Sequence, residues 1–559
     1  MRDIASPLDG FASPFGPVRG FNPAYLFTAS EPGQLMPVDP AYLYQDTAGT
    51  TPITATGQSV ALHLDQSKGL VLGPERVVNG SFPSDLSGWA LGSDAAQVIA
   101  IWTASGASLT RGAGGPNGFT QTGVAQVGKT YLITFDVVSG TAAFDAFGVS
   151  VVAGGAGAKR FIYTASTTSI QFWPTANNAT VVIDNISVKE LPGNHDTQAT
   201  VGSRPIYGKH PANGYRNMLA SSEDFSAAVW NKVGGTATPD AGVAPDGTVT
   251  ADRLQFSSAQ TPFQSVTFIV GVTYTWSVYV KSNTGSSQDF RLGKYDGANT
   301  ASANQSATTS WQRFSYTFTA AGTTSPSVYF QTGTGGTACD LQVWGAQLET
   351  GSTATPYQRT GASSGVAWPA PASYDITEAG QPDLHYLHYN GVSSFMVSPT
   401  ITPGIDKAQV FVGVRKLSDA AIATAVSTGT SAGSFELFAP RTTTGGVYSM
   451  SSRGTSVSEA ISVTASFIAP ATSVLNGLAD ISGDVAILRV NGVQDVQSTT
   501  DQGTGNYLAY PIYTGRRGGT SLPFNGLVYS KIIRFGPNLT ADQISATERW
   551  MAQRTGVSL

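Results

Sequence analysis

The side chains in this sequence that could do chemistry are its carboxylates, five histidines and one thiol, and their spacing does not favour catalysis. A retaining glycosidase needs two carboxyl groups about 5 Å apart. On one strand that means Glu-x-Asp or Glu-x-x-x-Glu, because side chains alternate between faces. Residues 363 to 559 contain no such pair: Glu436 stands alone in Ser434-Phe435-Glu436-Leu437, while Glu378 and Glu459 lie in turn-like text. His63, His195, His210, His385 and His388 accompany no Gly-x-Ser-x-Gly elbow. His385 and His388 would share a metal on a helix, but Leu384-His385-Tyr386-Leu387-His388-Tyr389 has the pattern of a strand, which sends them to opposite faces. Cys339 is the only cysteine, so an intrachain disulfide and a cysteine-based zinc site are excluded. Beside Asp340 on an expected strand it has the place of a small buried hydrophobe. No enzyme is expected, and hydrolysis would need carboxylates that converge from distant strands.

Recognition of a sugar asks for less: a flat aromatic face for the apolar side of the ring and Asn, Asp, Gln or Arg for its hydroxyls. The candidates are Trp102, Trp173, Tyr329, and Tyr513 with Arg516. Trp173, just before Pro174 at a strand end, is expected to be exposed. Trp89, Trp230, Trp276 and Trp344 fall on patterned strands or module edges and are expected in cores.

Composition points the same way. Charged residues are 12% of the 559, half the usual share, and 63 are glycine. Hydrophobic residues at 41% and aromatics at 10% supply enough apolar surface for packed strands and tight turns rather than disorder. The net charge of -5 comes without any basic run, which removes the electrostatic footprint of nucleic-acid binding. No stretch approaches about eighteen consecutive apolar residues, so no membrane insertion is expected. Residues 1–9 are polar where a secretory leader needs an apolar core. So few cysteines fit synthesis in a reducing cytoplasm.

One β-module is written twice. Asn79 to Trp89 opens the first copy and Asp184-Asn185-Ile186-Ser187-Val188 closes it; Asn217 to Trp230 and Asp340-Leu341-Gln342-Val343-Trp344 do so for the second. Between these ends, Tyr131, Ile133, Phe135 and Val137 alternate with polar neighbours, as do Tyr274, Trp276, Val278 and Val280, the period of strands with one buried face. Asn491-Gly492 predicts a type I′ hairpin. Thr540 with Gln543 predicts a capping box, and Gly556 a helix stop. Residues 1–37 are a Pro/Gly/aromatic string that neither helix nor central strand can cross. Its Phe11, Phe15, Phe21 and Tyr25 predict an extended arm that buries its aromatics, on a partner subunit in preference to its own chain.

These stretches carry resemblances. Glu75-Arg76-Val77-Val78-Asn79-Gly80-Ser81-Phe82, Leu86-Ser87-Gly88-Trp89 and Val182-Ile183-Asp184-Asn185-Ile186-Ser187-Val188 resemble the ends of xylan- and glucan-binding jelly-roll modules. Asn217-Met218-Leu219, Asp246-Gly247-Thr248, Ala251-Asp252-Arg253-Leu254 and Trp344-Gly345-Ala346-Gln347-Leu348-Glu349 resemble modules repeated in bacteriophage tail and virion proteins. Leu387-His388-Tyr389-Asn390-Gly391, Tyr513-Thr514-Gly515-Arg516-Arg517 and the closing helix resemble a concanavalin A-like, laminin-G-type lectin domain of phage proteins.

The resemblances imply an all-β, multidomain chain of tandem jelly-roll β-sandwiches plus a concanavalin A-like sandwich, with an extended N-terminal arm and a short C-terminal helix. The expected division is an anchoring arm at 1–37, a β segment packing with the C-terminal domain at 38–72, a carbohydrate-binding-module-like sandwich at 73–193, a connector at 194–216, a second such sandwich at 217–362, and the lectin-type domain at 363–559. They imply a virion structural protein, a spike or fibre on the particle surface, made in the bacterial cytoplasm. It would dock on other virion proteins through its arm, associate as a homo-oligomer and adsorb to host cell-surface polysaccharide. A purely architectural virion protein and a polysaccharide depolymerase are the alternatives. No cofactor is expected beyond a structural calcium, for which Glu75 and Asp184 match the ends of the first module by resemblance, although Asp184-Asn185 also fits a hydrogen-bonded turn.

Overall fold

The computed structural model describes residues 21–28, 31–91, 98–113, 118–257, 262–361, 374–429, 431–444, 446–461 and 467–559; Phe11 and Phe15 lie outside them. The described residues fall into two compact units, 208–385 in one, 21–207 with 386–559 in the other. Both are built of antiparallel sheets, and the α-helix among the described residues is Ala541–Thr555 at the end.

In the discontinuous unit, one sheet runs in the order Asp383–Asn390, Asn525–Phe535, Lys407–Lys416, Ala471–Asp480, Val485–Val490, Val493–Ser498. The second sheet runs Leu43–Tyr44, Leu62–His63, Asp196–Thr197, Met396–Val397, Tyr513–Thr514, Thr424–Ser427, Ser434–Phe438, Ser449–Arg453, Val457–Ile461. Strand alternation explains why every residue but two of Lys407–Lys416 is fully buried. Val410, Val412 and Val414 enter the core between the sheets, while Phe411 turns to the other face. There it meets Met551 and Ala552 of the helix. Thr540 and Gln543 form the capping box, Gly556 closes the helix at φ 72°, and Asn491 and Gly492 turn the predicted hairpin at φ 50° and 79°.

The described part of the expected arm packs against its own chain. Gly33–Pro37 is a fully buried strand paired with Asn525–Phe535, and Leu26, Phe27 and Leu35 are buried with Phe411, Val474 and Ile532. Phe21 is half-buried against this cluster, and Tyr25 is 78% exposed. Buried Arg534 binds this segment to the sandwich, donating to Leu26 O and ion-pairing with Glu31. Because Asp196–Thr197 pairs with both Leu62–His63 and Met396–Val397, the strands flanking the first module lie side by side within the second sheet.

The first module has two five-stranded sheets. Gly157–Thr164, Thr130–Ser139, Thr180–Glu190, Gly106–Arg111 and Val98–Thr103 make one; Ser150–Gly154, Ala142–Ala146, Ile170–Pro174, Phe119–Gln121 and Ala90–Leu91 the other. Tyr131, Ile133, Phe135 and Val137 are buried between them. In the 208–385 unit, Gly235–Gly242, Ala251–Phe256, Cys339–Thr350, Thr273–Ser282 and Gln312–Thr319 form one sheet. Phe263–Ser265, Ser327–Thr332, Gln288–Tyr295 and Asn299–Ala301 form the other, with Gln305–Ala307 also paired to Gln288–Tyr295. Trp230, Trp276, Val278, Leu341 and Val343 fill the space between them.

Candidate functional site

The outer face of the first sheet of the 208–385 unit gathers polar groups from four strands. Register aligns Thr238, Arg253, Gln342 and Lys281 in one cross-strand row, and Thr236, Gln255 and Asp340 in the next. Their sequence neighbours Leu254, Phe256, Leu341, Val343 and Val280 are core, so alternation turns these rows away from it. At the end of the first row the Lys281 ammonium lies 5.0 Å from the centroid of the Trp311 ring, whose Nε1 donates to Val243 O at 3.0 Å.

Asp340 is the hub. Arg253 donates to it twice, Nε to Oδ1 at 2.9 Å and Nη2 to Oδ2 at 2.6 Å. Asn283 Nδ2 adds a bond to Oδ1 at 3.1 Å and Gln255 Nε2 one to Oδ2 at 3.3 Å. Gln342 Nε2 holds Asn283 Oδ1 at 3.2 Å, and Gln288 Oε1 accepts from Asp340 N at 2.8 Å. The Arg253 guanidinium holds the Asp340 carboxyl below the usual range despite partial burial. The side chains of Arg253 and Asp340 stay 40% and 20% exposed, and Asp340 lines a groove of about 550 Å³ together with Thr236, Gln255, Phe256, Gln288 and Cys339. Gly242 allows this packing: a Cβ there would fall 2.4 Å from Gln342 Oε1. Cys339 is buried and its thiol is pushed up to about 11 by burial, as an inert core thiol requires.

A third row is aromatic. Tyr279 pairs with Trp344 and Arg313 across the strands. Trp344 is covered by Tyr357 at 4.6 Å and donates Nε1 to Thr250 Oγ1 at 3.0 Å, which leaves it buried. Gln347 and Glu349 of the same closing strand are also buried: Glu349 accepts from Thr355 N and Gln347 Nε2, and Gln358 and Arg216 tie this end to Glu378. These motif residues hold the fold rather than face solvent.

The residues singled out from sequence are scattered. Trp102 is 39% exposed on the edge strand Val98–Thr103, with Nε1 bonded to Phe82 O at 2.8 Å. Trp173 is buried in the first module's aromatic cluster, not exposed. Tyr329 is buried too, because its ring lies over Gly293 on the paired strand, where a Cβ would meet it at 2.2 Å. Neither offers an open ring face. Tyr513 is half-buried beside Phe395 at 6.4 Å, and Arg516 Nη2 donates to Thr520 O at 2.8 Å.

Glu75 and Asp184 both accept hydrogen bonds from donors of their own chain. Glu75 Oε1 accepts from Arg76 N, Val77 N and Val188 N, and Oε2 from Ser187 Oγ. Its oxygens are therefore filled by donors of the chain. Asp184 Oδ1 accepts from Asn185 N at a bulge within the strand Thr180–Glu190, not in a turn. Among the described residues no cluster of three or more His, Cys, Asp or Glu side chains is arranged for a metal.

Two carboxylates do converge. Glu459 is on the strand Val457–Ile461, not in a turn, and shares a cross-strand row with Glu436 through Ser451. Each is ion-paired, Glu436 to Arg517 and Glu459 to Arg441, both at 2.5 Å. Burial raises the Glu436 carboxyl, Arg517 opposes it, and Glu459 adds to the rise.

The sequence matches no family profile and no curated protein. Solved structures similar to the chain include a tandem CBM22-1–CBM22-2 pair from Paenibacillus barcinonensis Xyn10C, at 13% identity over 50% of this chain and 98% of that one, TM-score 0.21. Others are the botulinum neurotoxin serotype D binding domain, 11% identical over 31% and 46%, TM-score 0.26, and a Ruminococcus gnavus IT-sialidase CBM40 bound to α2,3-sialyllactose, 18% identical over 26% and 84%, TM-score 0.22. Among the described residues no helix is long and apolar enough to cross a membrane.

Arg253, Gln255, Lys281, Asn283, Trp311 and Gln342 were not among the sequence candidates. Their signal is the polar alternation Arg253-x-Gln255 and Asp340-x-Gln342 on strands whose other face is apolar.

Proposed function

We propose that this chain is a non-catalytic, glycan-binding protein displayed on the surface of a bacteriophage or phage-like particle, where it adsorbs to host polysaccharide. The observation that carries the binding is the Asp340 hub: Asp340 and Gln255 line an open groove, and Arg253 and Asn283 are hydrogen-bonded to the same carboxylate, with Gln342 bonded to Asn283. Fixed donors and acceptors of this kind match the vicinal hydroxyls of a pyranose, and a ring face matches its apolar side. Attachment to other virion proteins and assembly of several copies belong to the same proposal, since weak sites gain avidity by number. The phage setting rests on the sequence resemblances of the second module and the C-terminal sandwich.

The test is binding of the intact chain to immobilised bacterial capsule, lipopolysaccharide and plant glucan panels, beside Asp340→Ala. Retention by the wild type and its loss in the variant supports the proposal; equal retention by both contradicts it. A depolymerase is the second reading, motivated by Glu436 and Glu459 two strands apart. Both carboxylates are held by arginines, which favours structural pairing over acid and base roles. Release of reducing ends that disappears in Glu436→Gln would establish the second reading instead.

A further inference from the structure

The turn that opens the second module converges four backbone carbonyls on one side-chain cation. Lys232 Nζ lies 2.7 Å from Trp230 O, 2.9 Å from Ala227 O, 3.0 Å from Ser226 O and 3.4 Å from Phe225 O. An ammonium has three N–H bonds, so four oxygens around it form a coordination shell rather than a set of paired hydrogen bonds. The shell is built independently of the lysine. Asp224 Oδ1 accepts from Ser226 N and Ala227 N, both at 3.0 Å, which fixes the turn. Buried Asp252 holds Phe225 N at 2.7 Å, and Trp230 is anchored in the core by its Nε1 bond to Ser221 O.

The duplicated loop in the first module has no such shell. There the neutral amide of Asn79 sits at the centre, donating to Asp85 O and Ser87 O at 3.1 Å and to the two side chains.

We propose that the Phe225–Trp230 turn is a cation site with the Lys232 ammonium as its built-in occupant, and that without this ammonium it takes a potassium-sized monovalent cation. Backbone carbonyls are the ligands that replace the hydration shell of potassium. The observed 2.7–3.4 Å separations are longer than the roughly 2.3–2.6 Å of calcium or 2.0–2.1 Å of magnesium, and no carboxylate is among the four ligands. The occupant also bears on the groove, because Lys232 O accepts from Gly235 N at 2.8 Å and Gly234, Gly235 and Thr236 line its wall. The inference does not depend on what the groove binds.

The experiment is thermal unfolding of the full chain and of Lys232→Ala in choline chloride, potassium chloride and calcium chloride at matched ionic strength. The variant is expected to melt lower in choline and to regain about 5 °C or more in saturating potassium, while the wild type is indifferent to the ion. An equal response of both proteins, no response of the variant, or rescue by calcium alone overturns the proposal. A second measurement needs no variant: acylation of native lysines read by mass spectrometry. Lys232 is expected to react about tenfold or more slowly than the exposed Lys129, and labelling at the same rate overturns it.

Discussion

Arg253 and Asp340 form a two-toothed ion pair across neighbouring strands, with Nε–Oδ1 at 2.9 Å and Nη2–Oδ2 at 2.6 Å. The pair is partly exposed, so solvent screening leaves it little weight in stability. Its value is in fixing the direction of both groups at the groove. Asp340→Asn keeps the shape and removes the charge. Its melting temperature is expected to stay within a few degrees of wild type, while glycan affinity falls about tenfold or more, the loss typical of a charged hydrogen bond. Isothermal titration beside a melting curve separates the two effects.

Trp311 and Trp276 are both on this sheet region but have opposite parts. Trp276 is fully buried in the core, and Trp276→Ala should destabilise by about 3–5 kcal/mol. Trp311 is half-buried under Lys281, and Trp311→Ala should lower affinity with a much smaller change in stability. Chemical denaturation and binding of the two variants in parallel check this.

The discontinuous unit should weaken in acid. Burial pushes His63 and His388 down to about 4 each. Their ordinary value is about 6.5, so between these values the unfolded chain binds protons that the folded chain refuses. Stability therefore falls as pH drops from about 6.5 to about 4, by up to about 3 kcal/mol per histidine, and that loss levels off below. His63→Gln keeps a donor for Pro37 O, which His63 Nε2 holds at 2.9 Å, and should flatten this slope. Melting temperatures from pH 7 to pH 4 are the readout.

The segment around Gly33–Pro37 should behave as part of the sandwich. Leu35→Ala removes a fully buried side chain and should destabilise by about 2–5 kcal/mol. Glu31→Gln removes a partner of buried Arg534 and should cost less, because Leu26 O, Gln409 Oε1 and Pro537 O still accept from it. Urea denaturation of both variants orders the two effects.

What alternation and turn chemistry encode locally was legible in the sequence: the strand Thr130–Ser139, the Asn491-Gly492 hairpin, the Thr540 capping box and the all-β class. The candidate site was not. Arg253, Lys281 and Asp340 come from three separate strands, and only register, which no single strand specifies, brings them into neighbouring rows, with Trp311 just before a fourth. Tyr329 misled because its burial depends on Gly293, thirty-six positions earlier on the paired strand. The packing of Phe21 and Phe27 was not legible for a related reason: their partners, Phe411, Ile532 and Met551, lie far along the chain.

The central claim is that the Asp340 groove binds glycan. The most direct measurement is surface-plasmon titration of host polysaccharide over the intact wild-type chain, Arg253→Ala and Asp340→Ala, with folding verified by circular dichroism. Saturable binding by the wild type and loss in both folded variants are expected. Binding unchanged in both variants would contradict it.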